Sequence, residues 1–308
     1  MIASRDLSME QDLIIHGVLL PAACAVVLLL VTRRWGTRVR GVSCALALLL
    51  SARANDSFGG FPPTNGWMWI VIAVCAVALV GAAAGERSGS RTGRAIVCAL
   101  AGCIAALLMP VPMWQSVDAR LLLAGALGVI ALLLLPVGMH RGGFSFWCAC
   151  SMAIAGTSVV ALLTGFAKLA VALGAVSCAC GWIGVASALV RPRHALHAGI
   201  SGTLVIVAVT VLGAASAFGY ETSSTPPWIF VIAGASPLGC WLGEAPPFRA
   251  SRMASALARI LGVAVLAGAA VTGAVLHANR NASTDADAYA CVNDARTHAS
   301  STNASSLR

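Results

Sequence analysis

Charge is what this sequence lacks most. Only 10% of its 308 residues are Asp, Glu, Lys or Arg, against 59% hydrophobic, and the mean hydropathy is +0.87. Soluble domains keep about a quarter of their residues charged, so this balance excludes an ordinary soluble fold. Acidic residues are scarcest, 11 against 20 basic, which leaves a net charge of +9. That surplus does not point to nucleic acid, because the arginines form short clusters between apolar runs instead of lining one polar face. Also missing are an HExxH motif, a phosphate-binding glycine loop and a dinucleotide fingerprint, so no cofactor is expected. Nor is there a disulfide framework. Of the 11 cysteines, all but Cys291 lie within or at the ends of apolar runs, where they act as small, soft hydrophobes.

What is present is a succession of apolar runs. A helix needs roughly 20 apolar residues to cross the ~30 Å hydrocarbon layer, where its backbone must satisfy its own hydrogen bonds. Ten such segments are expected, at 13–32, 39–54, 67–84, 95–113, 121–139, 144–166, 169–190, 199–218, 228–243 and 257–276. Charges or Gly, Pro and Asn clusters bound each one. The fold class is therefore all-α, a polytopic transmembrane bundle of about ten spans. Residues 1–12 read as a short leading segment, 13–139 and 144–276 as two five-span units, and 277–308 as a polar tail expected to be disordered.

Basic residues set the expected orientation. Alternate connections hold Arg33, Arg34, Arg38 and Arg40; then Arg87, Arg91 and Arg94; Arg141; Arg191 and Arg193; and Arg249, Arg252 and Arg259. The other connections hold Arg53, Arg120 and Lys168. The first set is read as cytoplasmic, which puts both termini on the opposite side, in the plasma membrane if the cell is bacterial.

Sliding the chain by 134 residues superposes the two units without a gap. Val42-Ser43-Cys44-Ala45 falls on Val176-Ser177-Cys178-Ala179, and Leu127-Gly128-Val129 on Leu261-Gly262-Val263. A five-span unit repeated in tandem enters the membrane upside down the second time, so its loops should exchange arginine content. They do: the loop with Arg87, Arg91 and Arg94 corresponds to Tyr220-Glu221-Thr222-Ser223-Ser224. Five plus five inverted spans are similar to the drug/metabolite transporter superfamily in span count, without a shared motif. The termini of that family are cytoplasmic, opposite to the orientation expected here.

Chemistry-bearing residues are few. The middles of all ten expected spans lack Asp, Glu, Lys and Arg, which argues against proton coupling and against a charged substrate at the midplane. Helix breaks are the remaining candidates for a solute path: Pro21 in the first span, and Gly234, Pro237 and Gly239 in the ninth. The bland alternative for each proline is a kink repaired by neighbouring groups. Gly199-Ile200-Ser201-Gly202 resembles the GxSG of rhomboid-like serine proteases. However, the available histidine, His277, belongs to the opposite end of its span. Cys148-Ala149-Cys150 and Cys178-Ala179-Cys180 have a spacing that splits each pair across a helix, so no metal site is expected.

These readings describe a multi-pass membrane protein that is not an enzyme, a subunit or scaffold whose partners are the lipid bilayer and another membrane protein. The alternative is a permease for a neutral or amphipathic small solute.

Overall fold

The computed structural model describes residues 15–31, 38–54, 63, 65–85, 90–109, 116–140, 143–189, 197–220, 225–249 and 251–305, the last helix beyond 280 by its backbone only. It is all-helical, with no strand among the described residues. A π-helical turn, Ile15–Leu19, leads into α1 (Leu20–Val31). There follow α2 (Arg38–Ala54), α3 (Met68–Ala84), α4 (Arg91–Leu107), α5 (Val117–His140), α6 (Phe144–Leu163), α7 (Ala167–Leu189) and α8 (Gly199–Gly219). Then α9 (Pro227–Ala235) passes into a 3-10 segment, Ser236–Glu244, before the short α10 (Pro246–Arg249) and the long α11 (Arg252–Ser305). Five helices are long and apolar enough to cross a membrane: α5, α6, α7, α8 and the stretch Arg252–Arg280 of α11.

The axis of the bundle is α8. All 18 residues of its most apolar window are buried, as befits a helix apolar on every side. Its residues are small or β-branched, GISGTLVIVAVTVLGAASAFG, so α2, α3, α5, α6 and α9 can all pack against it. Its hydroxyls are accounted for locally. Thr203 donates to the Gly199 carbonyl at 2.7 Å, Thr210 to Ile206 at 3.0 Å, and Ser201 reaches across to the Ala78 carbonyl of α3 at 3.1 Å.

Contacts between named residues fix the direction of each helix relative to its neighbours. Gly66 lies by Tyr220 and Gly81 by Ser201, so α3 and α8 are antiparallel. In the α4–α5 hairpin Gly102 meets Ala124 and Gly128 meets Cys98; in α6–α7, Ser151 bonds Ser177 and Ser158 bonds the Ala170 carbonyl. Both pairs are antiparallel. By contrast Gly202 lies by Trp147 and Gly213 by Thr157, so α6 and α8 are parallel, and so are α6 and α11, where Gly156 meets Ala267 and Ser145 meets Arg259. These relations fit a chain that reverses direction at each successive long segment, with α9 and the 3-10 segment counted as one and the short α10 as a connection.

α11 lies along α6, and α6 along α8. α2 and α7 pack as well, with Cys44 Sγ 3.8 Å from Cys180 Sγ and both residues fully buried. Molecular iodine, an apolar oxidant able to enter hydrocarbon, should therefore join Cys44 to Cys180 in a disulfide. Peptide mapping checks this: recovery of both as unlinked thiols would show that α2 and α7 do not meet there.

The polar stretch from His277 onward continues α11 as helix to Ser305. It contains no Gly or Pro and is rich in Ala, the best helix former, so local propensity carries the helix past the apolar turns that pack. Residues 1–12, Arg33 and Arg34, Arg191 and Arg193, and the sequence Pro110-Val111-Pro112 lie outside the described residues.

Candidate functional site

The proline breaks are the expected site, and their local chemistry is consistent. Proline has no N–H, so the carbonyl four residues earlier loses its helical donor. For Pro21 that is the carbonyl of Gly17, which accepts the Ser51 hydroxyl of α2. Pro21 lies not in mid-helix but at the second residue of α1, immediately after the π-helical turn. For Pro237 the orphan is the carbonyl of Ala233. It accepts the Ser236 N–H, the Ser236 hydroxyl at 2.7 Å and, at 3.5 Å, a share of the Thr157 hydroxyl of α6, whose nearer acceptor is the Ala153 carbonyl at 3.0 Å. A third proline, Pro136 in α5, escaped the sequence reading. Beside it the indole N–H of Trp241 donates to the Leu133 carbonyl at 3.0 Å. The orphan carbonyls of Pro21 and Pro237 are thus each met by a side-chain donor and are not displayed to a solute.

The predicted positions do not converge. α1 packs on α2 and α7, whereas the 3-10 segment packs on α5, α6, α8, α9, α10 and α11, so Pro21 and Pro237 share no closely packed neighbour among the described residues. Gly239 has a packing role: a Cβ there would stand 2.5 Å from the backbone of Gly262 in α11. Gly234 is different. It lines an apolar groove of about 310 Å³ between α5, α8 and α9, with Leu123, Ile130, Val211, Phe218 and Phe230 among the walls. No polar side chain borders the groove, so it can accept an apolar group but cannot orient a polar one.

Other sequence candidates also resolve into packing. Ser201 is buried where α2, α3 and α8 meet, its hydroxyl held by Ala78 O, and Gly41 and Gly81 leave the space it occupies. His277 lies beyond Gly273, which packs on Trp228, at the other end of the bundle. Among the described residues no group of three or more His, Cys, Asp and Glu lies close enough to hold a metal.

The best-built polar cluster was not legible from motifs. Arg259, two turns into α11 and 5% exposed, pairs with Glu244 Oε1 at 2.6 Å and donates to the Ser145 hydroxyl at 3.2 Å. The pair ties together the start of α6, the end of the 3-10 segment and α11, and Gly243 provides room for the Arg259 side chain. The sequence signal was present, because Arg259 falls inside the expected segment 257–276, but it had been assigned to a loop. At the opposite end Trp67, Phe166 and Tyr220 stack, with centroids 6.1 and 5.2 Å apart. Burial there pushes the Tyr220 phenol above its ordinary range, so it stays neutral at pH 7.

Compared with protein-family models, with curated proteins and with solved structures, the chain matches none of them.

Proposed function

We propose that the chain is a ten-span membrane subunit or scaffold that acts through its outer faces and not through an interior site. The observation that carries this reading is α8, buried along its length with its hydroxyls satisfied, which leaves the axis of the bundle closed. Four helical segments outside the long apolar set have the reach to cross as well. α2, α3 and α4, of 17 residues each, extend about 25 Å, at the short limit of membrane helices. The nine residues of α9 and nine of the 3-10 segment together extend about 31 Å, because a 3-10 turn rises ~2.0 Å per residue. The alternating helix directions favour ten crossings arranged as two inverted units. The arginine distribution favours non-cytoplasmic termini.

Two experiments test this. In intact cells, cysteines placed at Arg91 and Ser283 should react with impermeant reagents from opposite sides; labelling from the same side would overturn the span count or the orientation. Native mass spectrometry of the mildly extracted chain should find it with a second polypeptide in fixed stoichiometry. The second reading, a permease for a neutral or amphipathic solute, rests on Gly234 lining the α5–α8–α9 groove. A monomer that speeds equilibration of such a solute across vesicles, and loses that activity in Gly234→Leu, would replace the subunit reading with the permease.

A further inference from the structure

The α4–α5 hairpin carries a second groove, of about 380 Å³, on its outer side. Its walls include Ala95, Cys98 and Cys103 of α4 and Gly125, Gly128 and Leu132 of α5. It exists because two glycines stand where side chains would fill it. A Cβ on Gly125 would touch nothing within 4 Å, and one on Gly128 would come no nearer than 3.5 Å to the Cys98 carbonyl. Exposed Ile96, Leu100, Val129 and Leu133 border the same hairpin, so its surroundings are apolar. From Ala95 to Cys103 the groove follows α4 for about 12 Å, close to the thickness of one leaflet's hydrocarbon.

One end of this groove is basic. Gly128 meets Cys98 and Ala124 meets Gly102, a register that brings Arg94 level with Leu132 at the groove's end and Arg91 one turn beyond. An apolar channel one leaflet long that ends at two arginines complements a molecule with an acyl chain and an anionic phosphate head.

We propose that the α4–α5 groove holds one acyl chain of an anionic glycerophospholipid from the arginine-side leaflet, with Arg91 and Arg94 facing its phosphate. This inference rests on the hairpin lying in the membrane. It does not depend on the choice between subunit and permease. Each arginine near the headgroups should favour an anionic over a zwitterionic lipid by about fivefold at low salt.

The test uses the full chain in phosphatidylcholine vesicles that contain a trace of photoreactive lipid, its diazirine on the acyl chain and its head either phosphatidylglycerol or phosphatidylcholine. Integration is verified first by resistance to carbonate extraction, so a failure of the membrane reading is separately visible. The phosphatidylglycerol probe should label residues 95–103 and 121–132 several-fold more than the phosphatidylcholine probe. Arg91→Gln with Arg94→Gln should abolish that preference, and Gly125→Leu, which fills open space, should remove the label from both probes. Equal labelling by the two heads, absence of label in these segments, or a crosslink from the hairpin to another protein copy would each overturn the proposal.

Discussion

Replacing Glu244 by alanine should destabilise the protein by about 3–5 kcal/mol, because it leaves the Arg259 guanidinium buried without its counter-charge. Arg259 and Glu244 expose 6% and 14% of their side chains, so water cannot take over the lost partner. The magnitude follows from desolvation more than from the strength of the pair. Its attraction at 2.6 Å roughly offsets the cost of removing both charges from water, whereas breaking it leaves that cost standing. The double variant Glu244→Leu with Arg259→Met should therefore recover most of the loss. Steric-trapping or detergent-denaturation measurements of the three proteins would separate these outcomes. Similar losses in the single and double variants would mean that the pair contributes a net attraction. Because the pair joins α6, the 3-10 segment and α11, the single variant should loosen this end first, visible as faster thiol labelling of buried Cys240.

How much of this was legible in the sequence differs by level. The all-helical class was, because a period of apolar runs interrupted by charge survives any packing arrangement: each expected segment contains helix among its described residues, and five helices are long and apolar enough to cross a membrane. The helix ends were legible only where a local signal exists. Ser90 caps α4 by accepting the Gly93 N–H, while Gly85 ends α3 with a positive φ of 53°. Packing was much less legible, since hydropathy cannot distinguish an apolar side chain facing lipid from one facing protein. Both α8, buried throughout its most apolar window, and α5, whose Leu121, Leu122, Val129 and Leu133 are exposed, read as strongly apolar, and only the small and β-branched residues of α8 against the leucines of α5 hint at the difference. The site suffered from the same blindness. Pro21, Pro237 and Gly239 stand out in one dimension, but the hydroxyls of Ser51 and Thr157 and the Gly262 backbone that answer them come from elsewhere in the chain. Only Gly234 reaches a cavity, and its partners on α5 and α8 carry no sequence mark.

Glycines make that blindness testable. Gly262 and Gly268 both lie inside an apolar run of α11, where a small residue suggests a helix contact. In the structure their surroundings are opposite. A Cβ on Gly262 would stand 2.4 Å from the carbonyl oxygen of Gly239, and one on Gly239 would meet the Gly262 backbone just as closely, so neither side can yield by rotating a side chain. A Cβ on Gly268 would meet nothing within 4 Å. Gly262→Ala should thus force α11 away from the 3-10 segment and cost about 1–3 kcal/mol by overpacking. Gly268→Ala should stabilise α11 by about 0.5–1 kcal/mol, since alanine removes the entropic cost of glycine in a helix. The displacement caused by Gly262→Ala acts on the same interface that seats Arg259 against Glu244. Combining it with Glu244→Ala should therefore cost less than the sum of the two, because an interface already opened admits water to the stranded arginine. Strict additivity would place the glycine contact and the ion pair in separate structural units.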